Sequence, residues 1–199
     1  TYSYDYLILA TGSELSYCGK DQWKKFSLGW NNIENATLLR SKILQAFEKA
    51  ERINDDKTIN KLLKFVVIGG GPTGVEMAGA IAELSKNVLT KEFATIDTMT
   101  TQIILLEAGP NLLPTASLSL SIYAKESLEK LGVEIKCNTA VQNISESLVA
   151  TNTETIEAET IIWCAGVKAS PLGNLLNTET DKIGRVFVKD DLSIPTYPN

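Results

Sequence analysis

The sequence predicts an α/β fold, with a parallel sheet, helices on its faces and a small β-meander. The first supporting observation is an apolar run at residues 65–68 that leads into a glycine-rich turn at 69–74 and a helix-compatible segment from Val75. Two further apolar runs, at residues 103–106 and 161–167, have the length and composition of buried parallel strands. Strand, glycine turn and helix in this order make a Rossmann-like βαβ unit, which is suited to binding dinucleotides.

The glycine turn has the features that a pyrophosphate requires. At the first turn of a helix, backbone N–H groups point outward and the helix dipole is positive, so phosphates bind there. Gly69 permits the tight turn, Gly71 lets phosphates approach its backbone, and Gly74 allows the helix to lie close to its strand. The predicted cofactor contacts of the turn are Gly69, Gly71, Pro72, Thr73 and Gly74.

An acid after the second strand predicts which dinucleotide binds. Glu107 follows the apolar run 103–106 directly, where a ribose-binding carboxylate is expected. A carboxylate accepts a hydrogen bond from the 2′-hydroxyl of NADH, whereas its repulsion of the NADPH 2′-phosphate about 4 Å away costs roughly 1–4 kcal/mol. Residues 107–111 contain no Arg or Lys to offset that repulsion. We therefore predict NADH as the cofactor, contacted by Glu107 and Ala108; the alternative is that Glu107 is an ordinary solvated carboxylate.

One spacing departs from the dinucleotide pattern. Glu107 lies 33 residues beyond Gly74 (107 − 74 = 33), whereas about 20 residues are usual. Residues 86–102 are polar, Thr-rich and weakly periodic. We therefore predict that an insertion of extra helix and loop lies there.

The segments before the glycine turn also have recognisable patterns. Residues 4–10 predict an opening strand, and Asn32 or Asn35 can cap the helix that comes after it. Residues 54–57 should end that helix and lead directly into the first strand of the βαβ unit. The helix has an apolar face at helical spacing, made of Ala36, Leu39, Ile43, Ala46, Phe47 and Ala50.

After the second strand of the unit, one more helix and several strands are expected. Ser117 or Ser119 starts the helix, and Gly132 ends it. A third parallel strand at residues 133–137 and a β-meander over 140–158 then return the chain to the sheet. The predicted apolar positions of the helix are Leu120, Ala124, Leu128 and Leu131.

Composition excludes several function classes. The 199 residues are 44% hydrophobic and 22% charged with a net charge of −5, which fits a globular chain and argues against nucleic acid or anionic lipid as a partner. There is no histidine, so His metal sites and the usual hydrolytic triads are excluded. Cys18, Cys137 and Cys164 are odd in number and far apart, which indicates unpaired thiols in a reducing compartment, and we predict no metal site. No apolar run approaches the roughly 18 residues of a membrane span.

Four segments, taken together, are far more specific than the glycine turn alone. They are residues 4–13, 67–76, 106–109 and 163–167. In these segments, and over essentially its whole length, the chain resembles the type II NADH dehydrogenases, single-subunit flavoenzymes of the two-dinucleotide-binding flavoprotein group. In such enzymes the NADH domain interrupts an FAD domain in sequence. The resemblance therefore implies FAD as a second cofactor, with an incomplete site in this chain.

The resemblance also implies a domain division and further contacts. Residues 1–13 would be a remnant strand of the FAD domain with the crossing, 14–167 the NADH-binding domain, and 168–199 a truncated returning segment of the FAD domain. Further cofactor contacts are implied for Ala10, Thr11 and Gly12 at the crossing, and for Ala165, Gly166 and Val167 on the nicotinamide side.

For the parent enzyme, the resemblance implies that NADH gives hydride to the flavin N5 and that the reduced flavin passes electrons to a membrane quinone. Such a protein is peripheral, on the cytoplasmic side of the inner membrane. Glu76 matches a family glutamate near the nicotinamide and flavin, which implies a catalytic role. The alternative is a carboxylate favoured by the helix dipole, worth typically about 0.3–1 kcal/mol. Trp163 is expected to belong to the strand core.

The 199-residue chain alone is expected to bind NADH weakly and without turnover, because the hydride acceptor has no complete site in it; the quinone-binding and membrane-anchoring parts of the family would also lie outside it. Two alternative functions remain open. One is a nucleotide-sensing module without chemistry, and the other is the NADH domain of a related flavin disulfide reductase. Whether the chain forms a homodimer is left open as well.

Overall fold

A computed structural model describes residues 2–197, which divide into two compact units. The larger unit is Tyr17–Ala165, and the other takes its described residues from Thr1–Ser16 and Gly166–Asn199. Thr1, Pro198 and Asn199, at the ends of the predicted flanking segments, lie outside the described residues. The assignment of these flanking segments to an FAD domain stays a prediction.

The described residues form ten strands and four α-helices. The strands are β1 Ser13–Leu15, β2 Leu28–Gly29, β3 Lys64–Ile68, β4 Gln102–Leu106, β5 Val133–Lys136, β6 Val141–Ser145, β7 Leu148–Thr151, β8 Thr155–Glu157, β9 Thr160–Trp163 and β10 Val167–Ala169. The helices are α1 Ile33–Glu51, α2 Asp56–Leu62, α3 Pro72–Glu83 and α4 Leu118–Lys130. Within residues 2–197, no helix combines the length and apolarity that crossing a bilayer demands.

A five-stranded parallel sheet forms the centre of the larger unit, in the order β2-β9-β3-β4-β5. The predicted α/β fold class with a parallel sheet is confirmed. At the end of β3, Ile68 pairs with Leu106 of β4 on one side and with Trp163 of β9 on the other. The carboxyl ends of these three strands therefore lie side by side, and the segments that follow them meet at one edge of the sheet.

Different elements cover the two faces of this sheet. Phe65 and Val67 face a core cluster that also contains residues of α1, α3 and α4, and Phe47 of α1 stacks on Phe65 with ring centroids 5.8 Å apart. Alternate strand residues such as Val66 and Trp163 are also buried and face the other way. There the ring of Trp163 contacts aromatic residues of the segment before α1.

The opening strand predicted at residues 4–10 is wrong. These residues are irregular and exposed, with Ile8 90% accessible, and the first strand begins only at Ser13, which pairs antiparallel with Ala169 of β10. A strand is stable only when a neighbour accepts its backbone hydrogen bonds. No strand among residues 2–197 pairs with residues 4–10.

The region between α1 and β3 also differs from the prediction. Asn32, and not Asn35, caps α1, because its side chain accepts a hydrogen bond from the Asn35 amide at 2.8 Å. Residues 54–57 do not lead directly into β3. Instead Asp55 caps α2, its carboxylate accepting from the amide of Thr58 at 3.0 Å and also from the Thr58 hydroxyl.

The helix after β4 is confirmed, with one correction to its apolar face. Ser117 is the N-cap of α4, and Gly132 follows its end with a left-handed φ of +78°. Leu128 is buried as predicted, but Leu120 is 57% exposed and Ser121 takes the buried position instead. The predicted stripe therefore included one residue too many at the start of the helix.

The predicted insertion is confirmed as helical turns and loop. A π-helical turn at Leu84–Val88 continues α3, and short 3₁₀ turns follow at Leu89–Lys91 and Thr98–Thr100. Glu51, the last residue of α1, holds this segment through its carboxylate. The amides of Ala94, Thr95 and Ile96 donate to it at 3.0–3.1 Å. The insertion is thus fastened to α1.

The β-meander is confirmed as well. Strands β6, β7 and β8 form a three-stranded antiparallel sheet, after which β9 joins the parallel sheet. Asn143 of β6 accepts a hydrogen bond from Nε1 of Trp23 at 3.2 Å. This bond links the meander to the segment before α1.

Candidate functional site

The glycine turn lies between β3 and α3, at the carboxyl edge of the sheet. Gly71 is the N-cap of α3, Pro72 is its first residue, and the amide of Val75 donates to the Gly71 carbonyl at 3.0 Å. Proline suits this position because a first-turn amide has no carbonyl of its own helix to bond. The amides of Thr73 and Gly74 are in the same position, so they are available to an anion.

Each of the three motif glycines meets a different steric requirement. Gly69 has a φ of +109°, and a Cβ there would lie 2.8 Å from the backbone of Ala165. A Cβ on Gly74 would lie 1.8 Å from the carbonyl oxygen of Gly69. A Cβ on Gly71 would meet no atom within 4 Å, so the space beside its backbone is open. The turn is therefore closely packed on its protein side and open where a ligand would approach.

Glu107 follows β4, and its carboxylate contacts the glycine turn. Oε2 accepts from the amide of Gly70, and Oε1 accepts from the amide of Gly109, each at 2.6 Å. The structure therefore brings the predicted ribose-binding acid and the predicted phosphate-binding turn together.

Leu112 and Leu113 also shape the turn, and sequence reasoning missed both. The amide of Leu113 donates to the carbonyl of Gly70 at 2.8 Å, and Leu113 has a left-handed φ of +49°. Leu112 is buried, and a Cβ on Gly70 would lie 2.7 Å from its Cδ2. Leucine has no preference for the left-handed region, so its residue type gave no signal of this conformation.

The other predicted residues of the larger unit lie around this edge. Pro72, Glu76 and Ala108 are exposed, and Thr73 is half-buried. Glu76 lies on α3 two residues beyond Gly74, in the second turn of the helix, and α3 has no acidic residue in its first turn, where the helix dipole acts most strongly.

The segment after β9 forms the other wall of the turn. Ala165 packs against Gly69, and the amide of Cys164 donates to the carbonyl of Ile68 at 2.8 Å. Burial raises the pKa of the Cys164 thiol to about 12, so this sulfur is an unreactive part of the wall. Trp163 is buried, with its ring stacked on that of Tyr17 at 5.1 Å, which confirms it as strand core.

Five predicted contact residues belong to the other structural unit. In that unit Val167 pairs with Leu15, and the carbonyl of Gly166 accepts from the amide of Ser16 at 3.2 Å. The predicted residues concerned are Ala10, Thr11, Gly12, Gly166 and Val167. Their cofactor contacts stay predictions.

Sequence comparison identifies the family. The profile described as pyridine nucleotide-disulphide oxidoreductase matches residues 1–199. The chain belongs to this family.

The curated relatives of this chain include two proteins named type II NADH:quinone oxidoreductase. The type II NADH:quinone oxidoreductase Ndh of Mycobacterium tuberculosis is 44% identical, and the match covers 98% of this chain and 44% of the relative. The type II NADH:quinone oxidoreductase of Staphylococcus haemolyticus is 34% identical, with 97% of this chain and 48% of the relative covered. The predicted resemblance to type II NADH dehydrogenases is confirmed, and the chain spans less than half the length of these relatives.

Two solved structures have folds similar to that of this chain. NDH2 from Plasmodium falciparum in complex with NADH has a TM-score of 0.77 and 26% identity, with 85% of this chain and 36% of that chain covered. The putidaredoxin reductase–putidaredoxin complex has a TM-score of 0.69 and 18% identity, with 97% of this chain and 42% of that chain covered, and shows the shared fold alone.

Proposed function

We propose that the chain is the NADH-binding portion of an FAD-dependent NADH:quinone oxidoreductase. The observation that carries the proposal is the contact of the Glu107 carboxylate with the glycine turn at Gly70. This contact places an acceptor for the ribose hydroxyls next to a turn that can bind phosphates. Both are needed to bind the adenosine diphosphate half of NADH. The names of the relatives, and the NADH in the Plasmodium structure, support the same substrate.

Each part of NADH has a residue suited to it in the larger unit. The amides of Thr73 and Gly74, with the α3 dipole, would hold the pyrophosphate, and open space at Gly71 lets it approach. Glu107 would accept from the ribose hydroxyls and repel a 2′-phosphate. Ala165 packs against Gly69, and its small side chain would place little bulk beside the nicotinamide half.

FAD, when bound in the longer protein, would supply the acceptor for the hydride of NADH. Glu76 is exposed on α3, close to the turn, and we assign it the catalytic role of orienting the nicotinamide or relaying a proton. Ala10, Thr11, Gly12, Gly166 and Val167 would contact the cofactors from the flanking segments.

The remaining steps would belong to a longer protein. The chain spans 44% of its M. tuberculosis relative, so quinone binding, attachment to the cytoplasmic side of the inner membrane and completion of the FAD site would need residues outside it. The 199-residue chain should therefore bind NADH but not oxidise it. NADH consumption with a water-soluble quinone, followed at 340 nm, would contradict this part of the proposal.

Calorimetry with NADH and NADPH tests the cofactor assignment. The chain should prefer NADH, and Glu107→Arg should narrow or invert that preference, because the variant attracts the 2′-phosphate that the carboxylate repels. The repulsion estimated above corresponds to a change of roughly fivefold to several hundredfold in the affinity ratio. Glu126→Arg, at an exposed position of α4, is the matched control and should leave the ratio unchanged. An unchanged ratio in Glu107→Arg would mean that Glu107 does not contact the ribose.

A further inference from the structure

Glu107 has hydrogen bonds that recognition of a ribose does not explain. Both of its carboxylate oxygens accept from backbone amides of the chain itself, Oε2 from Gly70 and Oε1 from Gly109, each at 2.6 Å. Gly70 belongs to the glycine turn, whereas Gly109 lies two residues beyond Glu107. The carboxylate therefore joins the end of β4 to the turn that follows β3.

Other contacts restrain the same turn from the same side. The amide of Gly69 donates to the carbonyl of Leu106 at 2.8 Å, and the carbonyl of Gly70 accepts from the amide of Leu113, also at 2.8 Å. A Cβ on Gly70 would lie 2.9 Å from Oε2 of Glu107, so the carboxylate fills the space beside this residue. The segment after β4 thus fixes both peptide groups of Gly70, with Glu107 binding its amide.

We propose that Glu107 is a positioning residue, which fixes the glycine turn in its nucleotide-receiving conformation through the amides of Gly70 and Gly109. The inference rests on the proposed function of the turn as an NADH site. It assigns Glu107 a task in the protein itself, in addition to contact with the ribose.

The acceptor capacity of the carboxylate makes the two tasks compatible. An ionised carboxylate has about four lone-pair sites, and the two amides occupy two of them. The remaining two match the two hydroxyls of the adenosine ribose. NADH can therefore bind without displacing the Gly70 amide. A glutamine cannot do the same, because its NH₂ group would face one of the two amide donors.

NMR of the ¹⁵N-labelled chain tests the positioning role without any nucleotide. In the wild-type chain, the Gly70 and Gly109 amides should resonate downfield and exchange slowly with solvent. Glu107→Gln should move at least one of them upfield and accelerate its exchange about tenfold, as expected for the loss of one hydrogen bond to a charged acceptor. Glu107→Asp, which is one methylene shorter and cannot span both amides, should have the same effect. Glu126→Gln on exposed α4 is the matched control and should leave both amides unchanged.

A titration of the same samples with NADH separates this inference from the proposed function. Wild-type Gly70 should keep its downfield shift when NADH binds. If Glu107→Gln lowers NADH affinity but leaves the shift and exchange of both amides unchanged, the positioning role is overturned and the NADH site stands. If the amides respond to both substitutions but the wild-type chain does not bind NADH, the positioning role stands and the proposed function fails. Loss of the Gly70 shift on NADH binding would overturn the compatibility of the two tasks.

Discussion

Gly74 is the position at which the glycine turn should tolerate an added methyl group least, and Gly74→Ala tests this directly. A Cβ on Gly74 would lie 1.8 Å from the carbonyl oxygen of Gly69 and 3.0 Å from its carbonyl carbon. The obstructing atoms are backbone, and Gly69 is itself packed against Ala165. No side-chain rotation can therefore relieve the contact, and the joint between β3 and α3 must open.

Two opposing effects set the size of the loss. Overpacking costs typically about 1–3 kcal/mol, and so short a backbone contact puts this variant at the upper end. Replacing glycine by alanine in a helix returns about 1 kcal/mol. We therefore expect Gly74→Ala to lower the free energy of unfolding by about 2 kcal/mol, which corresponds to a fall in Tm of about 4–8 °C for a chain of this size.

Gly79 of the same helix provides the matched control. A Cβ there would lie 3.5 Å from Cδ2 of Leu128, an ordinary van der Waals distance. Gly79→Ala should therefore raise the free energy of unfolding, by up to about 1 kcal/mol. Urea unfolding followed by circular dichroism measures both variants. Wild-type stability in Gly74→Ala, or an equal loss in Gly79→Ala, would refute the assignment of the close contact to the turn.

Two further predictions concern ionisable groups outside the turn. Although partial burial raises the pKa of Glu51, the amides of Ile96, Ala94 and Thr95 together lower it below its usual value. The stability that Glu51 contributes is therefore present above the ordinary carboxyl pKa and lost as the pH falls through the folded-state value. In urea unfolding, Glu51→Gln should be less stable than wild type at pH 7 and equal to it in acid. The control Glu48→Gln, at an exposed position of the same helix, should show no such pH dependence. A loss of stability in Glu51→Gln that persists in acid would contradict the role of the carboxylate as acceptor for the three amides. For Cys164, a pKa of about 12 leaves roughly one thiolate in ten thousand at pH 8. Mass spectrometry should therefore find that iodoacetamide alkylates the exposed Cys18 at least about 100-fold faster than Cys164. Equal rates for the two cysteines would show that Cys164 is accessible and ionised.

The parallel core could be predicted because its strands are buried on both faces and therefore consist of continuous apolar runs. Strand β4, which contains Ile103, can for example be recognised without an alternation of apolar and polar residues. The glycine turn could be predicted because each glycine satisfies a separate steric demand, as the contacts of Gly69 and Gly74 show. Glu107 could be placed at the turn because parallel strands end at a common edge.

The remaining features depend on contacts that a linear pattern does not contain. Helix α2 has seven residues, which is too few to show a clear apolar period. The sequence pattern around Asp55 therefore indicates the end of α1, whereas Asp55 is the N-cap of α2. Residues 4–10 have the composition of a strand, but strand formation also requires a partner edge. The left-handed backbone of Leu113 is imposed by its surroundings, since no property of leucine favours it.

The order in which strands are added along the chain differs from their order in the sheet, and this affects how the protein folds. Phe65 of β3 pairs with Thr160 of β9, so the pairing that brings Ala165 to Gly69 is among the most non-local in the chain. Such contacts have a high closure entropy and slow the folding of a domain. During synthesis, the glycine turn leaves the ribosome long before its second wall exists. A nascent chain can therefore complete its nucleotide edge only after the residues of β9 have emerged and found β3.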